Sequence, residues 1–134
     1  MNTRRFPYAR NDLPILPITL VNGLESMTCD ALVDSGSTIN VLPYDLGLQL
    51  GLDWEVQSLE MDTVGYLRGA PLFAVSLMGQ ISDFPPVKLC FGWSGKASGE
   101  IRLILGQRNF FRHFRILFEG YVNAFEISPR QQAL

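Results

Sequence analysis

The chain carries 13 acidic side chains and a single histidine, His113, as its acid–base groups. One acid, Asp34, lies in a setting that a surface turn does not need. It stands in Asp34-Ser35-Gly36, with the apolar run Ala31-Leu32-Val33 leading in and Thr38-Ile39-Asn40-Val41-Leu42 leading out. Asp-Ser-Gly by itself is ordinary turn chemistry, because Asp and Ser bond their own backbone and Gly tolerates positive φ. A carboxylate held between two apolar strands is shielded from water, and a carboxylate so placed suits general acid–base work.

Other chemistries find little support. His113 alone completes neither a Ser/His/Asp system nor a metal cluster. Cys29 and Cys90 are far apart, match no metal spacing and read as reduced thiols. No metal or other cofactor is implied. A second segment of note lies far downstream. Ile104-Leu105-Gly106 is an apolar pair plus glycine, followed by Phe110-Phe111. Glycine after a buried strand permits close passage of another backbone.

The elements that must position Asp34 are short strands. Leu16 to Val21 reads as one strand, Asn22-Gly23 as a tight hairpin turn, and Met27 to Val33 as the returning strand that delivers Asp34. After the turn, Ile39 to Leu42 is a further strand. Pro43 opens a short helix with Leu46 and Leu50 on one face and Gly51 as its stop, weakened by Gly47. Residues 53–62 carry a mixed strand pattern, and Gly65 and Gly69 bracket a hairpin tip. Leu72 to Met78 is a strand turned by Gly79-Gln80. Val87 to Trp93 and Ile101 to Leu105 are strands, residues 107–113 a short helix, and Arg115 to Phe118 with Asn123 to Ile127 a final strand pair. Residues 1–13 are polar and irregular. The pattern predicts an all-β domain, with one or two short helices, that closes on itself. Phe110, Phe111 and Phe114, like Trp54 and Trp93, read as core or subunit contact.

Composition agrees with one globular domain. The chain has 134 residues, 47% hydrophobic and 18% charged, which is apolar for its size and leaves surface to bury against a second copy. A net charge of −2 gives no footprint for nucleic acid. No run approaches a membrane span and no apolar segment follows Arg4-Arg5 as in a secretory signal, so a cytoplasmic location is expected.

Taken together, Ala31-Leu32-Val33-Asp34-Ser35-Gly36-Ser37 resembles the catalytic turn of the retropepsin-like aspartic peptidases. Ile104-Leu105-Gly106-Gln107 resembles the hydrophobic-hydrophobic-Gly strand that crosses behind that turn. The likeness runs over roughly residues 14–128, with 1–13 and 129–134 as tails. It is nearest to stand-alone bacterial members, in which strings like Leu105-Gly106-Gln107-x-x-Phe110-Phe111 and Phe125-Glu126-Ile127-x-Pro129 recur. Viral members commonly carry Asp-Thr-Gly-Ala-Asp here, so the Thr38 position lacks their substrate-gripping acid.

The resemblance implies a closed retropepsin-like acid-protease barrel of one lobe and an aspartic endopeptidase. That chemistry uses two carboxylates sharing one proton: the ionised one activates a water and the protonated one polarises the scissile carbonyl. No metal and no covalent intermediate take part. This chain has one such motif, so the resemblance implies a homodimer with Asp34 from each copy. Ser35 would brace the pair across the axis, Gly36 would donate its N–H to the carboxylate, and Ser37 would bond the outer carboxylate oxygen. Gly65, Tyr66 and Leu67, within 61–73, would form a flap over a peptide or protein substrate, and Ser37 and Ile104 would line its site. The competing reading is a retropepsin-fold module that dimerises and binds peptides without useful catalysis.

Overall fold

The computed structural model describes residues 2–57, 60–61 and 71–130. Its strands are β1 (Arg4–Pro7), β2 (Ile15–Asn22), β3 (Glu25–Val33), β4 (Asn40–Leu42), β5 (Glu60–Met61), β6 (Leu72–Gln80), β7 (Val87–Ser94), β8 (Ile104–Leu105), β9 (Phe114–Glu119) and β10 (Ala124–Pro129). Two short helices, α1 (Tyr44–Gln49) and α2 (Phe110–His113), interrupt them.

β2 and β3 form the expected hairpin. Alternate residues of β2, Leu16, Ile18 and Leu20, are buried while Pro17 between them is exposed, as a half-buried strand requires. The turn lies one residue later than Asn22-Gly23. Asn22 still pairs with Glu25, Gly23 takes φ of 60°, and the Asn22 amide donates instead to the Leu50 carbonyl at 2.7 Å.

The sheet order β2-β3-β8-β4-β7-β6 closes through a further β2–β6 pairing. The result is a closed barrel of these six strands, with β5 appended to β6, and it matches the all-β fold expected from the sequence. Closure removes the exposed edges that an open sheet would offer. Leu16, Leu20, Val33, Leu42, Leu89, Phe91, Trp93 and Leu105 belong to the main core. Val41, Leu72 and Ile104 form a second, smaller buried cluster.

Three segments differ from their sequence pattern. Residues 54–56 are a 3-10 turn rather than strand, because Asp53 caps it by accepting the Glu55 N–H at 3.0 Å and Trp54 turns inward onto Phe73 and Trp93, with ring centroids 4.6 and 4.9 Å away. Gly79-Gln80 is not a turn. β6 runs through it, since a Cβ at Gly79 would lie 2.6 Å from Leu89 Cδ1, and the chain reverses at Ile81–Phe84, where Ser82 takes φ of 51°. Of the expected strand 101–105 only Ile104–Leu105 is strand. The stretch before it is tied into a turn, with Glu100 and Ile101 donating to the Ala97 carbonyl.

The irregular N-terminus is also corrected. Arg4–Pro7 is a strand, paired antiparallel with β10, which pairs in turn with β9. Phe6 stacks on Phe125 at 5.5 Å. The Arg5 guanidinium reaches both Glu119 and Glu126, at 2.5 and 2.8 Å. This three-stranded sheet stands outside the barrel ladder.

Candidate active site

β3 carries Asp34 out of the core. The Leu32 N–H donates to Leu103 and the Asp34 N–H to Leu105, at 2.9 and 3.0 Å, so the residue leaves its strand on a parallel ladder with β8. The chain then folds back: the Ser37 N–H donates to the Asp34 carbonyl at 3.1 Å. The Gly36 N–H donates to the carboxylate, reaching Asp34 Oδ1 at 2.9 Å. Asp34 is half-buried, whereas Ser35 and Gly36 are exposed. A carboxylate anchored by backbone and open on one side is preorganised to meet a reacting group.

The segment 104–108 passes directly behind this turn. A Cβ on Gly106 would lie 2.3 Å from the Ile39 carbonyl oxygen and 2.8 Å from that of Ser37. Only glycine fits there. The two segments are then laced together. Gln107 and Arg108 donate their N–H groups to the carbonyls of Ser37 and Thr38, at 2.9 and 2.8 Å, and the Gln107 side chain donates to the Ser35 carbonyl at 2.8 Å.

Asn40 is the buried polar centre of this lacing. Its Oδ1 accepts the Gly106 N–H at 2.8 Å, and its Nδ2 donates to the Cys90 carbonyl and to Asn109 Oδ1, at 2.9 and 3.2 Å. Asn109 Oδ1 also accepts the Cys90 N–H at 2.9 Å. Gln107 stands in the motif expected behind the turn, but neither it nor Asn40 nor Asn109 is among the site residues expected from the sequence. The signal for Asn40 was present, since an amide inside Ile39-Asn40-Val41-Leu42 must find partners if that strand is buried.

The other residues singled out from the sequence fall as follows. The Ser37 hydroxyl, with the residue 6% exposed, donates to the Ile39 carbonyl at 2.8 Å, so it does not make the expected bond to the carboxylate. Ile104 is buried against Val41 and Leu72. Gly65, Tyr66 and Leu67 lie outside the described residues. Phe110 and Phe114 pack in the core, 4.9 Å apart, and Trp93 is fully buried with its indole N–H on the Tyr44 carbonyl. No helix among the described residues is long and apolar enough to cross a membrane.

No family model and no curated protein matches this sequence. Among solved structures the chain is similar to a retropepsin-like aspartic protease from Rickettsia conorii, with a TM-score of 0.68 over 93% of this chain and 89% of that one. Sequence identity is 12%. The likeness is therefore one of fold: the closed six-strand barrel matches a single-lobe retropepsin-like architecture.

Proposed function

We propose that this chain is one protomer of an aspartic endopeptidase whose site is completed by a second copy. The observation that carries the reading is Asp34 itself, half-exposed at the end of a buried parallel ladder, with the Gly36 N–H on its carboxylate and a backbone crossing behind it in a fold shared with a retropepsin-like aspartic protease.

In this mechanism the two Asp34 carboxylates share one proton, because two like charges a few ångströms apart do not both ionise. The ionised one takes a proton from water as that water attacks the peptide carbonyl, and the protonated one donates to the carbonyl oxygen. Activity is expected at acidic to mildly acidic pH, because the mechanism needs one proton kept between the two carboxylates. Gly36 holds one carboxylate oxygen. Exposed Ser35, its carbonyl held by Gln107, faces the axis and braces the second copy. Ile104 and Ser37 are both buried, so in this reading they shape the substrate site from behind the exposed turn rather than by direct contact. The stretch 61–73, with Gly65, Tyr66 and Leu67, closes over the peptide. The unpaired thiols Cys29 and Cys90 accord with action in the cytoplasm.

The test is cleavage of a peptide library at acidic pH by wild type and by Asp34→Asn. The substitution keeps the shape of the side chain and removes its acid–base function. We expect a loss of at least about 100-fold with the circular dichroism unchanged. Equal cleavage by the variant would end the assignment, and a wild type that binds peptides yet cleaves none would make the chain a binding module.

A further inference from the structure

We propose that the groove between α2 and the adjoining ends of β9 and β10 is a binding site for a short acidic peptide segment, separate from the Asp34 turn. The inference goes beyond the cleavage reading and does not depend on it.

The groove has a volume of about 810 Å³. That lies within the roughly 300–1,000 Å³ of clefts that hold a drug-sized ligand, and a single inorganic ion would leave most of it empty. Its lining includes Arg112 of α2, Arg115 of β9 and Arg130, which follows β10, and no acidic residue. The walls between them are apolar, from Phe111, Phe114 and Pro129. None of its lining residues belongs to the Asp34 turn or to the segment 104–108 behind it.

Ordered backbone presents these arginines. The Arg130 N–H donates to the His113 carbonyl at 2.9 Å, and Phe114 pairs with Pro129 and Arg115 with Ser128. α2 is tied in turn to the crossing segment, with the Phe111 N–H on the Gly106 carbonyl at 3.2 Å. Three guanidiniums from three stretches of chain thus come to one place. Ion pairing does not account for them. Among the described residues the ion pairs are Arg4 with Asp83 and Arg5 with Glu119 and Glu126, and no groove arginine takes part. All three are exposed. Like charges gathered without a counter-charge repel one another, and an anionic ligand relieves that repulsion.

The chemistry of the lining selects the ligand. A guanidinium stays charged, and its planar fork matches a carboxylate. Three of them along one groove suit several carboxylates spaced along a chain, and the phenylalanine and proline walls suit an apolar side chain between those carboxylates. The rest of the molecule favours a peptide over a nucleic acid. The whole chain has a net charge of −2, so the arginines form a basic island. A short acidic segment ends inside that island, whereas a long polyanion runs beyond it onto a molecule of net negative charge.

The test uses the full chain and two fluorescent peptides, Glu-Glu-Phe-Glu-Glu and its neutral counterpart Gln-Gln-Phe-Gln-Gln, read by fluorescence anisotropy at neutral pH. The acidic peptide should bind and the neutral one should not, and added sodium chloride should weaken the binding. The double variant Arg112→Gln/Arg130→Gln, which leaves β9 untouched, should lose about tenfold in affinity with circular dichroism unchanged. Lys88→Gln/Arg102→Gln removes the same charge from exposed positions elsewhere and should bind as wild type does, as should Asp34→Asn. No binding of the acidic peptide, or equal losses in the two double variants, overturns the groove. Binding that is lost in Asp34→Asn and kept in Arg112→Gln/Arg130→Gln puts the peptide at the Asp34 turn and overturns it too. Inorganic phosphate that displaces the peptide at equal concentration, or a single-stranded oligonucleotide of equal charge that binds more tightly, overturns the peptide as the ligand. A fall in mass from dimer to monomer in Arg112→Gln/Arg130→Gln, read by sedimentation equilibrium, would make the groove a contact between copies and also overturn the peptide. Cleavage by a protein that does not bind the acidic peptide would end the groove and leave the protease reading standing. Binding through the groove by a protein that cleaves nothing would support the groove and defeat the protease reading.

Discussion

Asn40 is a neutral amide in a run of apolar residues, and its partners lie on three separate stretches of chain. Replacing it with Leu strands the Gly106 N–H, which has no other partner in so tight a crossing. We expect a loss of about 1–3 kcal/mol for a buried group left unpaired, read from the urea midpoint, together with lower activity, because the crossing holds the Asp34 turn. Gly106→Ala should be as damaging or worse. Its methyl would meet the Ile39 carbonyl, a backbone atom that cannot rotate aside. A third residue-scale expectation concerns the thiols. Burial, and then the charge of Asp30, push Cys29 up to about 11, against an ordinary value of 9.0. At neutral pH its thiolate is therefore scarcer by roughly 100-fold, and alkylation followed by mass spectrometry should label exposed Cys90 first. The Asp34 turn could be read from sequence because its apolar flanks are contiguous. The amide network could not, since nothing local tells which carbonyl Asn40 or Asn109 will reach.

At the scale of elements, α1 shows how a weak local signal becomes a packing requirement. Gly47 lowers helix propensity, yet α1 forms, because a side chain there would occupy the Trp93 ring: the Cβ position lies 2.2 Å from Trp93 Cε2. Gly47→Ala should gain propensity and still destabilise, by about 1–3 kcal/mol, through overpacking, as thermal unfolding would show. The strands that were legible, β2, β3, β7 and the β9–β10 pair, each carry their alternation or apolar run within a few residues. β1 was not, because Arg4–Pro7 has no pattern of its own and becomes strand only by pairing with Ala124–Ile127. The 3-10 turn at Trp54–Val56 was hidden for a similar reason: its residues favour strands, and the inward turn of Trp54 depends on Tyr44, Phe73 and Trp93.

Across the whole molecule, the junction between β1 and the β9–β10 hairpin joins a backbone ladder and the Phe6–Phe125 stack to an ionic clamp through Arg5. Hydrogen bonds from Arg5, and then from Tyr121, hold Glu119 below its ordinary value of 4.5. A carboxylate depressed in the folded state contributes stability above its unfolded value and loses it as pH falls through the lower, folded one. Arg5→Ala should thus destabilise the protein near neutrality, and the gap to wild type should narrow once the pH drops below the carboxylate range. Thermal unfolding of both proteins across that range measures it. The effect should be small, because these groups are exposed to solvent.

The lacing between the turn and Gln107 joins positions 72 residues apart. Contacts so distant in sequence form late, after the intervening chain has been closed into place. During synthesis, Asp34 leaves the ribosome well before Leu105 to Arg108 exist to hold it. A nascent or truncated chain therefore carries the tripeptide without its geometry, and the Asp34 turn is held in place only once the barrel is finished.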